Sequence, residues 1–123
     1  MSGNSFVLDT NIILYLLSGN KSIAELLDNT QLYISFITQL ELLGYFSISE
    51  TEQAKIKEFL EECVIVDINE EIKRHTIQLK QSYKIKLPDS IIAATSLFLE
   101  IPLLTADKEF NKIAELNLAI YED

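Results

Sequence analysis

The sequence predicts an α/β fold, a three-layer sandwich in which helices cover both faces of a central, mostly parallel sheet of about five strands. Three observations lead to it. Short apolar segments alternate with longer segments whose apolar residues recur at helical spacing. The strand-like segments are compact apolar runs, which suits burial beneath helices on both sides. No linker, repeat or low-complexity stretch divides the 123 residues, 48% of which are hydrophobic, so one domain over 1–123 is expected.

Ser5-Phe6-Val7-Leu8 reads as the first strand. Asp9, Thr10 or Asn11 can cap the following helix, Ile12 to Leu17, which Ser18-Gly19-Asn20 stops. A short helix covers Ser22 to Asp28, and Leu32 to Ser35 is a second strand. Helices follow over Thr38 to Phe46 and Glu50 to Glu62, the latter with Ser49 and Glu52 in capping-box spacing. Val64-Ile65-Val66 is β-branched and reads as a strand. Asn69 to Lys84 is the longest helix, with Ile72, Thr76, Leu79 and Tyr83 on its core face. Pro88 opens the next helix, which reaches Glu100, because proline suits the first helical turn. A strand at Pro102 to Thr105, a helix over Lys108 to Leu116 and a strand at Leu118 to Tyr121 close the chain.

Composition narrows the function. Ten basic against nineteen acidic residues give a net charge of −9, which disfavours a broad phosphate-binding surface. It suits a basic protein partner, or acids neutralised by metal. The single cysteine, Cys63, excludes an internal disulfide and a zinc knuckle and points to a reducing cytoplasm. Met-Ser-Gly-Asn-Ser has no basic leader region and Ile12 to Leu17 is too short to span a bilayer, so neither export nor membrane insertion is expected.

Four carboxylates stand out: Asp9, Glu41, Asp89 and Asp107. Each lies at a strand-to-helix junction or in the first turn of an expected helix. Singly, each has a plain explanation as a cap, a capping-box member or a complement to the helix dipole. Jointly they suggest more. In open parallel sheets ligands bind beyond the carboxyl ends of the strands, which is where Asp9 and Asp107 fall. Glu41 falls on the stripe Ile37, Leu40, Glu41, Gly44, which predicts a core-facing carboxylate in need of a cation. An all-oxygen donor set suits Mg²⁺ or Mn²⁺ rather than zinc. Such an ion can activate water for in-line attack on a phosphodiester.

Asp9-Thr10-Asn11 after the first strand, Glu41 early in a helix, Leu87-Pro88-Asp89-Ser90-Ile91-Ile92-Ala93-Ala94 and Leu104-Thr105-Ala106-Asp107-Lys108-Glu109-Phe110 together resemble a PIN domain. Length and the lack of further domains resemble the VapC-type toxins, the ribonuclease halves of toxin–antitoxin pairs. The resemblance implies that Asp9, Glu41, Asp89 and Asp107 are the metal-binding, catalytic acids. It implies supporting roles for Asn11 and Thr105, and for Ser35 and Thr38. It further implies Mg²⁺- or Mn²⁺-dependent cleavage of an RNA substrate, a homodimer, and a cognate antitoxin protein as inhibitor. The family often carries aspartate where this chain has Glu109, a conservative difference.

Other features are less specific. Lys73, Lys80 and Lys84 share one face of the long helix, and Arg74 and Lys86 bring five of the ten basic residues into fourteen positions before Asp89. They read either as a solvated helix face or as a guide for an RNA backbone. Leu14 to Leu17, Tyr45 and Phe46 exceed what one helix face can bury and suggest an interface. Two alternatives share the fold class: a non-catalytic PIN-like interaction module, and a receiver-type signalling domain. The second needs two adjacent acids after the first strand, and here Thr10 follows Asp9.

Overall fold

A computed structural model describes residues 4–122; residues 1–3, on which part of the leader reading rests, lie outside the described residues. The elements are β1 (Ser5–Leu8), α1 (Thr10–Leu17), α2 (Lys21–Leu27), β2 (Gln31–Ser35), α3 (Phe36–Leu43), α4 (Glu50–Glu61), β3 (Val64–Val66), α5 (Glu70–Ser82), α6 (Leu87–Leu99), β4 (Leu103–Thr105), a 3₁₀ helix (Lys108–Lys112) and β5 (Leu118–Ile120).

All five strands run parallel in the order β3-β2-β1-β4-β5. The chain therefore builds outward from β1 in one direction, then returns to build outward from β1 in the other. Its topological switch point lies between β1 and β4, where Val7 pairs with Leu103 and Leu8 with Leu104. Strand alternation divides the core. Leu8 and Leu104 pack with Ile12, Ile13, Ile34 and Ile56, whereas Val7 and Leu103 pack with Ile72, Ile92 and Phe110. These residues are nearly all inaccessible to solvent, each burial stabilising the fold by roughly 1.5–3 kcal/mol relative to exposure.

Local chemistry sets the helix starts. The Asn20 and Asn69 side chains accept from the amides of Ile23 and Ile72, and the Ser49–Glu52 capping box forms as expected. Pro88 lies in the first turn of α6, where its missing N–H costs nothing. Ser90 to Ser96 are all buried, and Ala93 and Ala94 let the α6 backbone approach the sheet. The buried Ser90, Thr95 and Ser96 hydroxyls donate to the carbonyls of Leu87, Ile91 and Ile101, so none is stranded.

Three elements depart from expectation. α3 begins at Phe36, directly off β2, because the Ser35 hydroxyl accepts from the Ile37 amide and caps it. It ends at Leu43 with Gly44 as its cap, the Gly44 amide donating to the Leu40 carbonyl at 2.9 Å in a position where a Cβ would come within 2.6 Å of that oxygen. Tyr45 and Phe46 thus fall beyond the helix, and both are exposed. α5 stops at Ser82, short of the expected Lys84. The expected helix over 108–116 is only a 3₁₀ helix, Lys108–Lys112, started by Asp107 and closed by turns at Ile113 and Leu116.

Candidate metal centre

Asp9 is the innermost acid, 6% exposed at the carboxyl end of β1. Its amide donates to the Leu104 carbonyl at 3.0 Å, extending the β1–β4 contact past the last strand residue. Both carboxylate oxygens are held: Oδ1 accepts from the Thr10 amide at 2.8 Å and Oδ2 from the Thr105 hydroxyl at 2.6 Å. The Thr105 hydroxyl accepts in turn from the Asp107 amide at 2.9 Å. Asp107 Oδ1 accepts from the Glu109 amide at 2.9 Å. One run of hydrogen bonds therefore spans the switch point from Asp9 to Asp107, and Thr105 is its hinge. Asn11 reinforces it, its side-chain oxygen accepting from the Ala106 amide at 3.3 Å. Asp9 and Asp107 are thus helix caps, and capping leaves each of them with lone pairs for a ligand.

Glu41 is held differently. The Thr10 hydroxyl donates to Glu41 Oε1 at 2.8 Å and lies 3.2 Å from the Thr38 hydroxyl. A hydroxyl has one proton, so Thr38 donates to Thr10 while Thr10 donates to Glu41. The expectation that Glu41 faces the core is overturned: Glu41 and Leu40 are exposed, and α3 buries Thr38 and Leu42. The capping-box reading of Thr38 and Glu41 fails for the same reason, because the cap is Ser35, three residues earlier. Ser35 itself serves the fold. Its hydroxyl goes to α3, and none of the four acids takes a hydrogen bond from it among the described residues.

Asp89 lies in the first turn of α6, half-buried. It caps nothing and accepts no hydrogen bond from the described residues, so only charge and burial act on it. Burial, then the charges of Asp107 and Glu41, push its carboxyl above the ordinary range, with Lys86 opposing. Burial likewise raises Asp9 from 3.8 to about 6, against the pull of its bonds to Thr105 and Thr10 and with the help of Asp89 and Asp107. The four acids, drawn from four separate segments, thus share one electrostatic neighbourhood at the carboxyl edge of the sheet.

The donor chemistry fits a hard divalent cation. Every candidate ligand is a carboxylate oxygen, and no cluster of histidine or cysteine competes. Among the described residues no three His, Cys, Asp or Glu side chains converge as a ready-made cage. A closed cage is what a fully protein-ligated zinc needs, whereas Mg²⁺ is commonly held through one or two carboxylates with water completing the shell.

Beside Asp89 and Asp107 lies an open groove of about 470 Å³ whose wall includes Lys80, Lys84, Lys86 and Lys112. Lys73, on the expected lysine face, does not line it and stands 4.0 Å from Glu70. Sequence reasoning missed Thr10 and Lys112. Thr10 was readable as the middle of the Asp-Thr-Asn triplet. Lys112 offered no signal, since its neighbour Lys84 is 28 residues away. Among the described residues no helix is long and apolar enough to cross a membrane.

Several known proteins are similar to this chain. A protein named Ribonuclease VapC1 from Haemophilus influenzae (strain R2866) is 37% identical, the match spanning 90% of this chain and 93% of the relative. The solved VapBC-1 structure from nontypeable Haemophilus influenzae matches with a TM-score of 0.76 at 33% identity, covering 94% of this chain and 97% of that one. A toxin–antitoxin complex from Klebsiella pneumoniae matches with a TM-score of 0.83 at 30% identity, covering 96% and 99%. VapBC2 from Rickettsia felis, at 24% identity and a TM-score of 0.84, shares the fold. The PIN domain model matches residues 6–116. With that match and a VapC relative aligned over nine-tenths of its length, this chain belongs to the PIN domain family, on its VapC branch.

Proposed function

We propose that this chain is a divalent-metal-dependent endoribonuclease, the toxin of a toxin–antitoxin pair, acting in the cytoplasm. One observation carries the reading: four carboxylates from four segments share one electrostatic neighbourhood at the carboxyl edge of the sheet, with Lys86 opposing the rise in the Asp89 carboxyl. Like charges so placed are unfavourable for a fold on their own and become favourable when a cation is held there. The names of the relatives, a ribonuclease and two toxin–antitoxin assemblies, support the substrate and the partner.

Asp9, Asp89, Asp107 and Glu41 would hold Mg²⁺ or Mn²⁺. When bound, such an ion supplies Lewis acidity, lowering the pKa of water and offsetting charge on a phosphodiester. The chain's own residues do the rest. Thr105 and the Thr10 amide fix both oxygens of Asp9, leaving one lone-pair direction on each for a ligand. Thr10 turns Glu41 toward the other acids, and Thr38 and Asn11 hold the segments that carry them. Asp9 must lose its proton to act as a ligand, so the affinity of the metal-free protein for Mg²⁺ or Mn²⁺ should weaken as pH drops through about 6.

A cognate antitoxin protein and a second copy of this chain are the proposed partners. The exposed Leu14, Tyr15, Tyr45 and Phe46 support them, because a small domain seldom leaves such side chains to water. The test is cleavage of structured RNAs with Mg²⁺ or Mn²⁺, comparing the native chain with Asp9→Asn and Asp89→Asn. Either substitution, or EDTA, should remove cleavage. Cleavage without metal, or full activity in both variants, would falsify the mechanism. A native chain inert on every RNA with metal present would instead favour the interaction-module reading.

A further inference from the structure

The groove beside the acids is an exception on a chain of net charge −9. It gathers Lys80, Lys84, Lys86 and Lys112, four of the ten basic residues, against Asp89, Asp107 and Glu109. Its lysines fall into two kinds. The Lys80 ammonium donates to the Ile85 carbonyl at 2.6 Å, and the Lys112 ammonium donates to the Lys84 carbonyl at 2.9 Å and pairs with Glu109 at 2.9 Å. These two grip, from α5 and from the 3₁₀ helix, the short segment between α5 and α6 that leads into Asp89. The ammonium groups of Lys84 and Lys86, on that same segment, make no hydrogen bond or ion pair among the described residues. Two committed lysines thus hold in place two that lack a hydrogen-bonded partner among the described residues, Lys86 being near enough to Asp89 to oppose the rise of its carboxyl, at the lip of the acid cluster.

We infer that Lys84 and Lys86 bind the phosphates of a single-stranded RNA next to the one at the acids, so that the groove is the path by which the backbone enters the site. The inference rests on the nuclease reading for what happens at the acids, but not for the binding itself. A polyanion is favoured over an acidic peptide because the groove opens onto carboxylates. A strand that reaches them through bound cation gains contact at both ends, whereas peptide carboxylates gain it only at the lysines. The path also answers the composition: strong overall negative charge repels RNA elsewhere and leaves one attractive approach.

The experiment is fluorescence anisotropy of a short labelled single-stranded RNA with the full chain, with Ca²⁺ in place of Mg²⁺ or Mn²⁺ so that a cation is available to the acids, the RNA being checked intact by gel, over a series of salt concentrations. Lys84→Gln and Lys86→Gln should each weaken binding several-fold and lower the salt slope by about 0.7, the share of one phosphate contact on a single strand. Lys73→Gln, on the same helix as Lys80 but outside the groove, should leave both unchanged. An equal loss in all three variants would mean diffuse attraction and sink the path. So would equally good competition by poly-glutamate, which would assign the lysines to a protein partner. Unaltered slopes in Lys84→Gln and Lys86→Gln would overturn it outright. If binding behaves as expected while the native chain cleaves no RNA with metal, the path stands and the nuclease reading falls.

Discussion

The two halves of the acid cluster are built to different standards. On the β1–β4 side, Asp9, Thr105 and Asp107 form one run of buried and part-buried hydrogen bonds with both Asp9 oxygens held. On the α3–α6 side, Glu41 is exposed and held by the Thr10 hydroxyl, and Asp89 accepts no hydrogen bond from the described residues. The difference follows from where each segment comes from. Asp9 and Asp107 leave adjacent, directly paired strands, so the sheet fixes their spacing to within a side chain's reach. Glu41 and Asp89 arrive on helices whose side chains project from the edge of the packing. One half is preorganised by the protein, and the other would gain its order only from a bound cation. Such a division suits a cation that keeps part of its water and must also admit a substrate phosphate.

Removing a charge from each half sharpens this contrast most. Asp9→Asn and Asp89→Asn should both lower metal-dependent cleavage by roughly 10³-fold or more. Their effects on stability have different sources. Asp89 has no hydrogen bond to lose among the described residues, and burial with like charges raises its carboxyl, so Asp89→Asn should raise the melting temperature of the metal-free protein at neutral pH. Asp9 has its folded pKa raised from 3.8 to about 6, so its ionised form opposes folding. The cost is full above about pH 6, shrinks as pH falls towards 3.8, and is gone below it. A shift of that size is on the order of 2–3 kcal/mol, and an asparagine side chain cannot accept both existing hydrogen bonds, which returns about 1 kcal/mol. Asp9→Asn should therefore stabilise the metal-free protein by about 1–2 kcal/mol at pH 7.5, with no gain near pH 4. Thermal unfolding in EDTA at the two pH values measures it. A destabilised Asp9→Asn at pH 7.5 would mean that the bonds to Thr105 and Thr10 outweigh burial.

What the sequence disclosed follows the same division. The order of elements was legible because each strand and helix carries its own periodicity or cap. Asp9 and Asp107 could be placed together because both follow strands of a parallel sheet. Glu41 was chosen for the wrong reason. Leu40 looks like a core residue in a helical stripe, but Ser35 starts the helix early and turns Leu40 to solvent. The true tie of Glu41, to Thr10, joins residues 31 apart and has no local signature. The lysine groove failed similarly: the helix face of Lys73, Lys80 and Lys84 was visible, but the contribution of Lys112 depends on tertiary packing. Periodicity reports which face a residue takes in its own element, and not which residues from other elements it meets.

The next prediction concerns the hinge of the ordered half. Thr105→Val keeps the side-chain volume and removes the donor to Asp9 and the acceptor for the Asp107 amide. Loss of such an orienting bond typically costs 10- to 100-fold in metal affinity or activity. We expect a loss of about that size in cleavage, with weaker Mn²⁺ binding by calorimetry, and Thr105→Ser restoring both. A normal metal affinity in Thr105→Val would show that the sheet alone holds the two aspartates.

The smallest effect should come from the equivalent change in the looser half. Thr10→Val removes the hydroxyl that donates to Glu41 but leaves the Thr10 amide on Asp9 intact. Glu41 is exposed, so water can replace the lost donor, and its side chain gains rotamer freedom rather than a stranded charge. The expected result is a loss of about 3- to 10-fold in cleavage, most of it recovered at high Mn²⁺ because ligation itself can reorder the glutamate. Thr38 adds a second check: once Thr10 is replaced by valine, Thr38 loses its acceptor inside a buried setting, so stability should drop by about 1–2 kcal/mol. Thr10→Ser should show neither loss. If Thr10→Val instead cost as much activity as Thr105→Val and high Mn²⁺ did not rescue it, Glu41 would be as preorganised as Asp9. The two halves of the site would then be one rigid unit.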